Sequence, residues 1–208
     1  MDTIYIDETK KEEELNLTIE KDCKILIFNH CFKNITINIL DNVKVQINEF
    51  NKAQTDITDI NFKINNNSEL TYNLSNIVSS NYNLNINILY NGLNSKVATN
   101  IHSIVSDKEI ININGTVLNN YKNNELLEKV KVLLINNGSC EVNPDMLIST
   151  KEVSANHLVG ISPIRNEELN YLMGKGLSKE TSKKLIYSSF ILSNIINDEL
   201  KTKIKQEL

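Results

Sequence analysis

The side chains that could bind a metal ion are few and widely spaced along the chain. The sequence contains three cysteines and three histidines, whose thiolate and imidazole groups are common ligands of iron, zinc and copper. They are Cys23, Cys31, Cys140, His30, His102 and His157. No CxxC pair occurs, so a self-sufficient zinc or cluster-binding motif is absent. The odd number and irregular spacing of the cysteines favour free thiols over a disulfide framework.

Three of these residues are not expected to bind a metal ion. If His30 and Cys31 lie on a strand, their side chains point to opposite faces, so they cannot bind one metal without a bulge. We therefore expect Cys31 in the core and His30 at the surface. His102 lies in a segment of alternating polar and apolar residues, where a structural role is more typical than ligation.

Several other functions are disfavoured by the sequence. The carboxylate pairs Asp56/Asp59 and Glu167/Glu168 have no suitably placed base, so we assign no hydrolytic chemistry. The phosphate-binding motif GxxxxGK[ST] is absent, so the chain should not hydrolyse ATP itself. A net charge of -4 argues against nucleic-acid binding. No apolar run reaches the roughly 18–20 residues of a membrane span, and the N-terminus lacks a secretory signal, so we expect a cytoplasmic protein.

The first three quarters of the chain have the pattern of short β-strands. From Thr18 to about Val153, polar and apolar residues alternate, and β-branched residues dominate the apolar positions. Clusters of Asn, Asp, Ser and Gly separate these segments at intervals of roughly ten residues, as turns do. This spacing suits an antiparallel sandwich, a barrel or a β-helix. Because hairpin signals are few and the asparagines could stack into ladders, we favour a β-helix.

The pattern becomes helical after Pro163. Asn166 could cap a first helix that Gly174 and Gly176 terminate. Ser178 could cap a second, amphipathic helix, and a third would cover 198–206. The sequence thus predicts a mainly β body over 1–162 and a C-terminal α-helical region over 163–208.

The segment 144–195 resembles the C-terminal core of the SufB/SufD family, the scaffold subunits of the SUF iron–sulfur assembly machinery. The resemblance rests on a proline-led strand at Pro144, on Glu152-Val153 followed by His157, and on the helix at 167–177 with the amphipathic helix after it. It implies a right-handed parallel β-helix and a helical region that docks SufC, an ABC-type ATPase.

Some residues depart from the family pattern. The usual His-Gly is His157-Leu158 here, and the usual Arg-Gly is Lys175-Gly176. SufB-type members have a glutamate directly after the histidine and a cysteine well upstream, near the position of Lys129; both are missing. The chain therefore resembles a minimal SufD-like member more than SufB.

The resemblance also implies which residues act. Through it, His157 becomes a candidate iron ligand. Cys140, in a Gly-Ser-Cys turn before His157, is a candidate ligand of a transient iron–sulfur cluster for a different reason, because thiolates bind such clusters. The alternatives are a histidine that hydrogen-bonds locally and a cysteine that packs in the core. The candidate ATPase-binding residues, which could equally serve internal packing, are Tyr171, Leu172, Met173, Lys175, Gly176 and Phe190.

These observations predict a non-enzymatic scaffold subunit for iron–sulfur cluster assembly. It would pair with itself or with a related SufB/SufD-like subunit, and the cluster would form at their interface. One alternative is a structural subunit of the same complex that binds no cluster. A carbohydrate-binding β-solenoid ranks last, because aromatic residues make up only 6% of the chain and tryptophan is absent.

Overall fold

The computed structural model describes residues 2–7, 13–53, 55–118 and 120–207. Within these residues thirteen strands precede three helices. The strands are β1 (Asp2–Asp7), β2 (Glu14–Ile19), β3 (Cys23–Phe28), β4 (Asn34–Ile39), β5 (Lys44–Lys52), β6 (Ile57–Ile64), β7 (Glu69–Val78), β8 (Tyr82–Tyr90), β9 (Lys96–Val105), β10 (Lys108–Val117), β11 (Asn124–Leu134), β12 (Ser139–Ile148) and β13 (Val153–Pro163). The helices are α1 (Asn166–Gly174), α2 (Lys179–Leu192) and α3 (Asp198–Glu207).

Successive strands alternate between two parallel sheets. The odd-numbered strands form one sheet of seven, and the even-numbered strands form a second sheet of six, each in chain order. All the neighbouring strands within a sheet run parallel. The chain therefore winds as a parallel β-solenoid, and the helices follow it. The predicted β-helix with a helical tail is confirmed.

The interior is formed by stacked rows of β-branched residues. One row in the even sheet joins Ile35, Ile60, Ile86 and Ile113, which are register partners on successive strands. All four are at most 1% exposed. Because side chains alternate between the faces of a strand, a period of two in sequence places every second residue in this core.

Asparagines line the turns between the sheets in a ladder. Asn42, Asn67, Asn94 and Asn123 adopt positive φ angles of 54–63°, which asparagine tolerates better than most residues. The amides of Asn67, Asn94 and Asn123 each donate to the Oδ1 of the preceding asparagine, at 3.1–3.2 Å. The expected stacking of asparagines at the turns is confirmed.

A second ladder crosses the outer face of the even sheet. Asn85 donates to Asp59 at 2.7 Å, Asn112 donates to Asn85 at 2.7 Å, and Asn143 donates to Asn112 at 3.0 Å. The amides therefore satisfy one another along the solenoid axis, and the ladder ends on the terminal strand β12.

Two of the helices cover the outer face of the odd sheet. Their buried residues form one cluster with those of the sheet, comprising Leu26, Phe28, Phe50, Ile104, Leu133, Ile191, Ile195, Leu200 and Ile204. His102 stacks on Phe190 with a centroid distance of 4.7 Å, and its Nδ1 lies 2.9 Å from the Phe190 carbonyl oxygen. His102 thus has the structural role that the sequence predicts, beneath α2.

The helix starts agree only partly with the sequence. The Ser178 hydroxyl accepts a hydrogen bond from the Thr181 N–H, which confirms the predicted cap of α2. The predicted cap at Asn166 is wrong, because Arg165 occupies the cap position without a side-chain hydrogen bond and Asn166 is already helical. A cap residue must have extended backbone geometry, and here that geometry belongs to Arg165.

The C-terminal end of the solenoid is open. β12 and β13 are the last strands of their sheets, and β13 is mostly exposed. Apolar side chains on these strands face solvent, with exposed fractions of 62% for Leu147, 58% for Leu158 and 44% for Val159. The open end is the place where the two candidate ligands of the sequence lie.

Candidate functional site

Both candidate ligands lie on the terminal strands, within strands and not in turns. Cys140 is the second residue of β12, and His157 lies near the middle of β13. Their register partners on the preceding strands are Glu109 and Glu128. Register partners in a parallel sheet face the same side. Since both glutamates are buried in the interior, Cys140 and His157 belong to the inward-facing rows at the open end.

Glu109 is a buried carboxylate with several polar partners. Its Oε1 accepts hydrogen bonds from the Asn76 amide at 3.1 Å and from the Ser103 hydroxyl at 3.0 Å. The Sγ of Cys140 lies 3.9 Å from its Oε2. Burial raises the pKa of Glu109 to about 7, although these hydrogen bonds act in the opposite direction.

Cys140 remains a thiol at neutral pH in this arrangement. Burial, together with the nearby charge of Glu109, raises its pKa to about 12. A thiolate is the form that binds metals. Cys140 would therefore need a change of environment before it could act as a cluster ligand.

Glu128 is buried, and no contact with another described residue compensates for its burial. It is 1% exposed, and neither carboxylate oxygen has a hydrogen-bond partner among the described residues. Burial raises the pKa of Glu128 to about 7. Gly115 lies across the interior, where a Cβ atom would be 3.6 Å from the Glu128 Oε1 and only 2.3 Å from the Leu126 Cδ2. A side chain at position 115 would therefore collide with the layer that holds Glu128.

Cys140 and His157 lie at different levels along the strands. Glu109, beneath Cys140, contacts Ser103, whereas Glu128, beneath His157, lies opposite Gly115. The register partner of Gly115 on β12 is Met146, so Met146 and not Cys140 occupies the level of His157. In the described part of the chain, no group of three or more His, Cys, Asp or Glu side chains could hold a metal ion.

A third polar centre was missed by the sequence reasoning. The expectation that His30 is exposed is wrong: it is 3% exposed, and its Nε2 lies 2.9 Å from the Glu49 Oε1. Its Nδ1 accepts from the Phe32 N–H, so the ring proton is on Nε2 and is donated to Glu49. The Tyr72 hydroxyl donates to the other Glu49 oxygen at 3.0 Å. Cys31, expected in the core, is half-buried.

The candidate partner-binding residues on α1 form an exposed edge. Tyr171 and Met173 are 66% and 40% exposed, and Leu172 is half-buried between them. The Lys175 Nζ lies 5.4 Å from the centroid of the Tyr171 ring. Gly176 has a φ of +91°, which permits the turn that separates α1 from α2.

A wide groove runs between α1, α2 and the end of β13. Its volume is about 1020 Å³, and Tyr171, Leu172, Leu185 and Phe190 contribute apolar surface to it. Phe190 is half-buried and already stacks on His102, so it serves internal packing as well as lining the groove. Tyr171 and Met173 are more exposed than Phe190.

The two parallel sheets and the helical layer define a β-solenoid protein with a C-terminal helical region. Residues 122–190 match the family model described as SUF system FeS cluster assembly, SufBD core domain. This match confirms the resemblance seen in the sequence and supports membership of the SufB/SufD family, with a role in SUF iron–sulfur cluster assembly. No curated protein matches the chain. Among the described residues, no helix is long and apolar enough to cross a membrane.

Proposed function

We propose that the chain is a non-enzymatic scaffold subunit for iron–sulfur cluster assembly that works in the cytoplasm with a SufC-like ABC-type ATPase. The observation that carries this proposal is the family match over residues 122–190. The matched segment includes β12 and β13, which bear Cys140 and His157, and extends through most of α2.

The open end is the proposed contact with a second subunit. Edge strands present unpaired N–H and C=O groups that can pair with a strand of another chain. The exposed Leu147, Leu158 and Val159 supply apolar surface that such pairing would bury. The partner subunit is a second copy of this chain or a related SufB/SufD-like subunit, which gives a homodimer or a heterodimer.

The groove between α1 and α2 is the proposed contact with the ATPase. Tyr171 lines this groove, and Met173 lies on the same helix beside it; both are exposed and are large side chains of the kinds enriched in protein interfaces. Lys175 and Gly176 lie at the adjacent turn and would shape the edge of this contact, with Leu172 and Phe190 as its apolar floor.

His157 is the proposed contact with the nascent cluster, which is cargo and not a resident cofactor. Its imidazole is exposed on the last strand, where a partner subunit could supply the remaining ligands. Cys140 is the secondary candidate, since its raised pKa keeps it protonated until its surroundings change.

A structural subunit that binds no cluster is the alternative. It is favoured by the finding that no group of three or more metal-ligating side chains occurs in the described residues. The two proposals differ in whether His157 matters for cluster yield.

Anaerobic reconstitution with iron and sulfide tests the choice, with the ATPase co-purified. Visible absorption and iron analysis should show a bound cluster, and His157→Ala should reduce it at least fivefold. Asn156→Ala is the matched control, because Asn156 is exposed on the same strand and faces the opposite side. Equal yields in both variants would favour the structural subunit.

The ATPase contact has a separate test. The double variant Tyr171→Ala/Met173→Ala should reduce co-purification of the ATPase at least tenfold, because both side chains are exposed and their loss leaves the fold intact. Lys205→Ala, an exposed position on α3, should leave it unchanged. Undiminished binding by the double variant would place the contact elsewhere.

A further inference from the structure

Glu128 is the buried group whose surroundings are least explained by the fold. A buried carboxylate normally has a cationic or hydrogen-bonding partner, because burying an unpaired charge is strongly unfavourable. Both oxygens of Glu128 lack such a partner within the described residues. Lys129 and Lys131 are close in sequence, but the alternation of β11 places them on its outer face.

Only the last strand of the sheet, β13, lies between Glu128 and the open end of the solenoid. The register partner of Glu128 on this strand is His157. Adjacent strands are about 4.8 Å apart, so an inward-facing carboxylate and imidazole in register are close enough to bind one ion. Across the interior lies Gly115, and the Leu126 and Glu128 side chains occupy the space that a side chain there would need.

We propose that Glu128 and His157 together form a binding site for one ferrous ion within a single subunit. This inference rests on the proposed scaffold function, since it identifies iron as cargo that the subunit holds before a cluster is complete. The ion would neutralise the buried carboxylate and would use the imidazole as its second protein ligand.

The ligand types favour iron over the abundant divalent cations. A carboxylate combined with imidazole is a ligand set used by non-haem ferrous sites, whereas magnesium and calcium prefer oxygen ligands alone. Two protein ligands leave further coordination positions for water, sulfide or a group of the second subunit. A site with only two protein ligands suits an iron ion that is later transferred to a cluster, because a closed site with four protein ligands would retain the ion.

Calorimetric titration of ferrous chloride into the purified chain tests the inference, under argon and without ATPase or sulfide. We expect one ion per chain in the wild-type protein. Glu128→Gln and His157→Ala should each raise the dissociation constant for ferrous ion at least tenfold. Glu125→Gln, on the outer face of the same strand, removes an equal charge and should leave the affinity unchanged. A hundredfold excess of magnesium should not compete.

Several results would overturn the inference. They are the absence of ferrous binding by the wild-type chain, an unchanged affinity in Glu128→Gln with a wild-type circular dichroism spectrum, and an unchanged affinity in His157→Ala. The last variant alters an exposed side chain, so misfolding should not obscure it. If clusters still assemble with the ATPase while Glu128→Gln binds iron normally, this inference fails and the scaffold function stands. If the wild-type protein neither docks the ATPase nor assembles a cluster, the proposed function itself fails.

Discussion

Two buried glutamates on the same sheet have opposite surroundings. Glu49 on β5 accepts hydrogen bonds from His30 and Tyr72, whereas Glu128 on β11 has no partner in the described chain. Their exposed fractions are nearly equal, 2% and 1%. The solenoid can therefore satisfy a buried carboxylate when a polar side chain of a neighbouring coil, such as His30 or Tyr72, reaches it. The unsatisfied one lies next to the open end, where a ligand or another subunit can reach.

The largest effect should come from breaking the satisfied centre. Glu49→Ala leaves the His30 N–H and the Tyr72 hydroxyl without an acceptor in the core and creates a cavity. Such losses cost about 3–5 kcal/mol, and urea unfolding followed by circular dichroism would measure the change in free energy. Glu128→Ala is the matched control and should cost far less, because no hydrogen bond is lost. Similar losses in the two variants would remove the contrast between the two centres.

The dependence of stability on pH should come partly from Glu109. This third buried glutamate accepts hydrogen bonds, as Glu49 does, yet its pKa is raised, as that of Glu128 is. Its pKa is about 7 in the folded chain and 4.5 ordinarily, so the folded state binds more protons between these values. Stability is thus highest below about pH 4.5, falls as the pH rises to about 7, and is constant above it as far as this group is concerned. The total change should be up to about 3 kcal/mol. Glu109→Gln should remove this part of the pH profile, as measured by urea unfolding at pH 4, 6 and 8.

If Glu109→Gln left the pH profile of the unfolding free energy unchanged, the pH dependence would come from other groups. Glu128, whose pKa is also about 7, contributes with the same sign. The double variant Glu109→Gln/Glu128→Gln separates the two contributions, since independent sites should add.

The sequence predicted the elements better than the contacts between them. The period-two alternation reflects burial on one face of each strand, and the glycines at the end of α1, Gly174 and Gly176, reflect local backbone geometry, so both could be recognised locally. The pairing of His30 with Glu49 depends on which residues of successive coils come into register. Register is set by turn lengths and by the stacking of many residues, and no short motif encodes it.

The same limit applies to the candidate site. His157 was found through its place in a family pattern, yet its partner Glu128 lies one full coil earlier and belongs to no motif. A buried carboxylate within the alternating segment Glu125 to Lys131 was the available signal, because a glutamate at an inward position breaks the apolar pattern.

The unsatisfied centre should respond to substitution in the opposite direction from Glu49. Glu128→Met keeps an unbranched side chain but removes the unpaired carboxylate, so it should raise the free energy of unfolding by about 1–3 kcal/mol at pH 8. The measurement requires protein treated with a chelator, because bound iron would stabilise the wild-type chain. Destabilisation by Glu128→Met in metal-free protein would mean that the carboxylate has a stabilising contact, and the comparison with Glu49 would no longer hold.

The smallest expected effects come from the asparagine ladder on the outer face of the even sheet, where a residue inside the ladder can be compared with the residue at its end. Asn85 donates to Asp59 and accepts from Asn112, whereas Asn143 lies on the last strand of the even sheet and donates to Asn112. Asn85→Ala should cost about 1 kcal/mol and Asn143→Ala about 0.5 kcal/mol, because Asn85 takes part in two bonds of the ladder and Asn143 in one, and the net contribution of each bond is small. Thermal unfolding of the isolated chain would measure both. If a second subunit extends the sheet past β12, the cost of Asn143→Ala should rise towards that of Asn85→Ala in the assembled complex. Equal costs in the isolated chain would instead show that the open edge is energetically no different from the interior of the sheet.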